Sequence, residues 1–164
     1  MTDSIAIRNA VPSEAAHLSA LALRSKAHWG YSPEFIQSCK NELTYQPSQI
    51  ADDKSQFVVA QRRSEIVGFY ALEGVSARQF ELIALFVEPE HIGDGVGREL
   101  MKHALDNVAA RSGQSVLIQG DPNAEKFYFA AGAKQIGTRE SGSISGRILP
   151  LFEILIRTPD EDVA

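Results

Sequence analysis

Between Gln56 and Val87 three strand-length apolar segments follow one another with no helix between them: QFVVAQRR, EIVGFYALE and FELIALFV. Segments this rich in Val, Ile, Phe and Tyr suit a pleated, half-buried surface. The polar pair Arg63 and Ser64 separates the first two so closely that a tight hairpin turn is predicted. Strands joined this shortly are antiparallel, which argues against a layout in which every strand is followed by a helix.

The flanking segments read as a mixture. Ile5 to Arg8 forms a short first strand, and VPSEAAHLSALALRSKA begins a helix at Pro12 and Ser13 with Leu18, Leu21 and Ala22 on one face. A second helix is expected after Ser32 and Pro33, running through EFIQSCKNEL. Beyond Val87, GRELMKHALDNVAARSG places Leu100, Met101, Ala104, Leu105 and Val108 at helical spacing, with Gly113 as its C-cap. A strand SVLIQG, a short helix AEKFYFAAG, a strand from Ala133 to Arg139 and a last strand ILPLFEILI complete the chain. The order predicts an α+β fold: a mixed, mostly antiparallel sheet flanked by helices, with one strand-helix-strand crossover at its centre. Residues 1–164 are read as a single domain, with Thr158 to Ala164 as a flexible acidic tail.

Composition narrows the partners. Sixteen basic against 21 acidic residues give a net charge of -5, which argues against nucleic acid or an anionic membrane as the main partner. The lone Cys39 permits no internal disulfide and reads as a small buried hydrophobe, so a reducing, cytoplasmic setting is expected. MTDSIAIRNA lacks a basic start and an apolar run of signal length, so no signal peptide is expected, and no apolar run approaches the roughly 20 residues of a membrane span. His17, His28, His91 and His103 show no metal-ligand spacing, so no metal is expected.

The third strand runs into LFVEPEHIGDGVGREL, where Gly93, Gly95 and Gly97 alternate just before a helix. Glycine costs about 1 kcal/mol relative to alanine at a helical position, so bare backbone there needs a reason. A helix N-terminus with exposed amides is an anion site, and alternating glycines let a pyrophosphate approach it. A tight strand-to-helix turn explains the same glycines. No GxxxxGK[ST] occurs, and a dinucleotide fingerprint begun at Gly93 fails at Arg98, where its third glycine should stand.

These residues resemble the GNAT superfamily of acyl-CoA-dependent N-acyltransferases. FVEPEHIGDGVGREL is similar to its pyrophosphate motif, a strand ending in V-x-P followed by [RQ]-x-x-G-x-[GA]: Val87, Pro89, Gly95 and Gly97 match, while Ile92 stands where Arg or Gln is usual. DPNAEKFYFAAGAKQIG resembles the family's later segment, with Asn123, Phe127 and Tyr128 on a short helix before Gly132 and Gly137. The resemblance implies acetyl transfer from acetyl-CoA to a primary amine of a small molecule or amino-acid-like acceptor, a protein amine being the nearest variant. It also implies a strand pair that splays to admit the coenzyme, and it makes a homodimer reasonable.

The implied roles fall on particular positions. Leu85, Phe86 and Val87 offer backbone groups to the pantetheine arm, and the amides of Gly93, Asp94, Gly95, Val96, Gly97 and Arg98 hold the pyrophosphate, with Arg98 adding a cation. Asn123 and Phe127 complete the coenzyme site. Glu81 is the candidate base, against an ordinary surface glutamate; Tyr128 is the candidate acid for the leaving thiolate, against plain packing of Phe127-Tyr128-Phe129. Lys26, His28, Trp29 and Tyr31 lie where the family builds its acceptor wall, though the aromatic pair serves equally as a plug between helices. Arg147 suits an acceptor carboxylate, or else is a surface arginine beside a strand. Two further readings stand beside the transferase: a non-catalytic acyl-CoA-binding sensor or regulatory module, which needs neither Glu81 nor Tyr128, and a Rossmann-type oxidoreductase, which conflicts with Arg98 and with the consecutive strands.

Overall fold

The computed structural model describes residues 4–156, so the tail expected at 158–164 lies outside the described residues. Seven strands form one sheet: β1 (Ala6–Asn9), β2 (Ser55–Arg62), β3 (Glu65–Gly74), β4 (Gln79–Val87), β5 (Ser115–Gln119), β6 (Lys134–Glu140) and β7 (Ile148–Leu155). Their spatial order is β1-β2-β3-β4-β5-β7-β6, antiparallel at every junction except the parallel pair β4 and β5. The expected meander is there. Arg63 and Ser64 close its first hairpin at φ 53 and 69, the left-handed geometry that a two-residue turn of this twist demands even without glycine.

Helices cover both faces: α1 (Ala15–Ala27), α2 (Pro33–Cys39), α3 (Pro47–Ala51), α4 (Val96–Ala110) and α5 (Glu125–Ala130). Strand alternation decides which face each side chain serves. Phe57 and Val59 of β2 pack with Leu18, Leu21 and Ala22 of α1, while Val58 and Ala60 pack with Val96, Leu100 and Ala104 of α4. The central strands are therefore apolar on both sides, and α4 is the crossover between the parallel strands. Cys39 is buried in the α1 side of the core, as a small hydrophobe should be.

Two local expectations need correction. The second helix stops at Cys39 instead of continuing through Leu43, and the chain turns so that Leu43 and Tyr45 both enter the core, Tyr45 edge-on to Phe57 and Phe69 at 5.3 and 5.6 Å. At the end of α4 the left-handed residue is Ser112, at φ 61, rather than Gly113. Gly113 answers a different need: a Cβ there would lie 2.3 Å from Val108 Cγ1.

Candidate active site

β4 and β5 are hydrogen-bonded only where Gln79–Glu81 faces Ser115–Leu117; beyond that they part. Ile83 has no partner between the pairs Leu72↔Leu82 and Ala71↔Ala84, and this extra residue bends β4. Leu85, Phe86 and Val87 therefore pair with β3 alone, leaving their other edge to the gap. A cleft of about 450 Å³ opens there, lined by these residues, by Gly93, Gly95, Gly97 and Arg98 ahead of and within α4, and by Asn123, Phe127 and Tyr128 around α5. Segments distant in sequence thus converge as the two motifs required.

The glycine turn leaves bare backbone at the start of α4. Gly93 and Gly95 have φ of 93 and 87, a region that side chains strain to occupy, and a Cβ at either would meet no protein atom within 4 Å. Among the described residues, the amides of Gly95, Val96, Gly97 and Arg98 have no hydrogen-bond partner in the protein, and no side chain caps α4. Arg98 and Lys126 line the same cleft, and neither has an ion-pair partner among the described residues. The residues present fit a pyrophosphate. Val96 contributes only backbone, since its side chain is 1% exposed in the core. Asp94 does not line the cleft; its carboxylate lies 3.3 Å from Arg62. Ile92 does line it, placing an apolar side chain where the family motif has Arg or Gln.

The placement of Tyr128 leaves both of its readings open. Its ring packs against Phe152 and Phe127, at 5.5 and 5.6 Å between centroids, while its hydroxyl hydrogen-bonds no described residue and the side chain reaches the cleft. Burial, reinforced by the charge of Asp121, pushes the phenol up to about 12. It stays protonated at neutral pH. Phe129 is 45% exposed and meets Phe152 edge-on at 5.4 Å.

The acceptor-side residues are only partly brought together. Trp29 lines the cleft, and His28, edge-on to it at 5.5 Å, does not. Tyr31 and Arg147 do not line this cleft: Arg147 donates to the Tyr31 hydroxyl, and Tyr31 joins the cleft lining through Asp121, which accepts hydrogen bonds from Lys26 Nζ at 2.9 Å, from the Tyr31 hydroxyl at 2.8 Å and from the Asn123 amide at 2.9 Å. Asp121 escaped the sequence reading. The local signal was there: an aspartate before Pro122 at the end of a strand, which caps the 3₁₀ turn Pro122–Ala124. Glu81, on the last residue of β4 still paired with β5, is outside the cleft lining, and both its oxygens accept from Arg139 at 3.1 Å.

Burial alone would raise the Asp121 carboxyl, but Lys26 and the Asn123 amide outweigh it and the net shift is downward. A carboxyl lowered on folding stabilises the protein above its unfolded pKa, about 3.9, and loses that contribution as pH falls through its lower folded value. Thermal melts from pH 7 to 3 are expected to show wild type more stable than Asp121→Asn at neutral pH, with the gap narrowing below about pH 4. A constant gap would mean that the charge of Asp121 is not what holds this wall.

Among the described residues no helix is long and apolar enough to cross a membrane, and no three His, Cys, Asp or Glu side chains gather to hold a metal ion. A family model described as an acetyltransferase (GNAT) domain matches residues 14–142. No curated protein sequence matches significantly. Among solved structures, the PaiA N-acetyltransferase of Thermoplasma acidophilum, in complex with coenzyme A, is 22% identical with a TM-score of 0.78, the alignment covering 93% of this chain and 99% of that one. An aminoglycoside 6'-N-acetyltransferase complexed with coenzyme A is 19% identical with a TM-score of 0.70, covering 93% and 98%. The ribosomal-protein-S18-alanine N-acetyltransferase of Escherichia coli is 14% identical with a TM-score of 0.72, covering 98% and 99%. These likenesses carry the fold; the family match over residues 14–142, on a sheet that parts above a glycine-rich helix start, makes this chain a member of the GNAT acetyltransferases, and so an acyltransferase enzyme.

Proposed function

We propose that this enzyme transfers the acetyl group of acetyl-CoA to the primary amine of a small, amino-acid-like acceptor by direct attack. The observation that carries the reading is the convergence, in one cleft, of an unpaired strand edge, four unpaired amides at the start of α4 and the unbonded hydroxyl of Tyr128. The pantetheine arm adds to the Leu85–Val87 edge as an extra strand would, and its pyrophosphate sits on the amides from Gly95 to Arg98. The acceptor nitrogen then bonds to the thioester carbonyl carbon and the carbon-sulfur bond breaks. Tyr128 gives its proton to the departing thiolate, and the proton lost by nitrogen passes through water toward Glu81 and solvent, from which Tyr128 is restored. Glu81 reaches the acceptor through water in this reading, because Arg139 holds its carboxylate. The buried thiol of Cys39 suits a reducing cytoplasm, and the exposed outer strand β6 leaves an edge for a homodimer.

Calorimetric titration with acetyl-CoA, then assay of thiol release over a panel of amines, tests the proposal. Saturable binding is expected, with a melting temperature that rises with coenzyme and amine-dependent release of thiol. Binding without release toward any amine would favour a sensor of acyl-CoA, and absence of binding at about millimolar coenzyme would sink both.

A further inference from the structure

The hydroxyl of Tyr31 is a junction of three segments. It donates to Asp121 at the end of β5, at 2.8 Å, and accepts from Asn123 Nδ2 at 2.9 Å and from an Arg147 guanidinium nitrogen, from the loop before β7, at 3.0 Å. One proton given and two lone pairs filled leave that hydroxyl saturated. Its ring stacks on Phe35 at 4.1 Å, and the Arg147 guanidinium lies over the rings of Phe35 and Tyr31 at 4.7 and 5.4 Å. Arg147 is thus held in position.

What it lacks is an anion. Arg8, Arg24 and Arg139 each pair with a carboxylate, whereas Arg147 gives one hydrogen bond to a neutral hydroxyl and has no carboxylate partner among the described residues. Asp121, two hydrogen bonds away, is already paired with Lys26. A half-buried, oriented guanidinium whose remaining N–H groups meet no acceptor among the described residues matches a planar oxyanion. Resting on the acetyl-transfer reading, we infer that Arg147 binds a carboxylate of the acceptor, so that the acceptor is a small molecule carrying both a primary amine and a carboxylate. Tyr31 is the positioning residue. It also ties this site to the coenzyme arm, because both Nδ2 hydrogens of Asn123 go to Tyr31 and Asp121, leaving Asn123 Oδ1 to accept from the coenzyme.

The test uses the whole enzyme at saturating acetyl-CoA with paired acceptors: glycine, β-alanine and lysine, each against its carboxamide, plus a peptide with a free N-terminus and an acidic second residue. Wild type is expected to favour each carboxylate by tenfold or more in kcat/KM, and Arg147→Gln to raise KM for carboxylates by about 10- to 100-fold, the scale of a charged hydrogen bond lost. KM for carboxamides and for acetyl-CoA should stay within about twofold, and Arg147→Lys should restore part of the preference. Tyr31→Phe should raise KM for carboxylates several-fold with kcat little changed. Equal use of carboxylates and carboxamides by wild type, or an equal rise in both KM values in Arg147→Gln, overturns the inference; turnover of the peptide alone overturns the small-molecule assignment. If no amine of either kind releases thiol, the transfer reading itself fails and takes this one with it.

Discussion

Tyr128→Phe is expected to lower kcat by about 10²- to 10³-fold while leaving acetyl-CoA affinity within about threefold, the scale on which a positioned proton donor contributes. The substitution is nearly isosteric: the contacts with Phe127 and Phe152 belong to the ring, which phenylalanine keeps. Only the hydroxyl is lost, and no described residue hydrogen-bonds it. With burial pushing the phenol up to about 12, Tyr128 keeps its proton through the neutral and mildly alkaline range, so a fall in kcat below about pH 10 would have to come from another group. Single-turnover thiol release beside calorimetric binding of the coenzyme separates the outcomes. A kcat within twofold of wild type would show that Tyr128 is a packing residue and that water protonates the thiolate.

The parts of the fold that the sequence made legible are carried by local features. Alternation from Gln56 to Val87 announces the meander, helical spacing after Gly97 announces α4, and the alternating glycines announce an exposed helix start, all from residues within a few positions of one another. What escaped the reading depends on distance. Lys26 and Tyr31 meet Asp121 from 95 and 90 residues away, and Arg147 meets Tyr31 across 116; no periodicity records such pairs. The end of α2 was missed for a related reason. EFIQSCKNEL has an acceptable helical pattern by itself, but burying Leu43 and Tyr45 against the sheet ends the helix at Cys39. Glu81 shows the same limit at the level of charge, because its offset from the glycines could be counted while its pairing with Arg139 could not.

The glycine that holds the site together is outside the coenzyme motif. Gly120→Ala is expected to destabilise the protein by about 1–3 kcal/mol, the usual cost of overpacking a dense core. That corresponds to a drop in melting temperature of about 3–10 °C for a chain of this size. Gly120 has no positive φ to explain it; a Cβ there would lie 2.7 Å from Phe152 Cε2 and 2.8 Å from Tyr128 Cε2. Both obstacles are ring atoms in a filled interior: Phe152 is 0% exposed and Tyr128 9%. One added methyl must therefore move the ring that carries the proposed acid, and kcat is expected to fall well below the melting transition. Gly132→Ala is the control, since φ 96 there brings backbone strain but a Cβ would meet nothing within 4 Å, so stability should drop with kcat retained. The cause is isolated by shortening the obstacle. Phe152→Leu alone leaves a cavity and destabilises, but in combination with Gly120→Ala it gives the new methyl room, so the two costs should sum to more than the double variant shows. Strict additivity would mean that the contact with Phe152 is not what demands glycine at position 120, and the link from the end of β5 to the placement of Tyr128 would have to run through Asp121 instead.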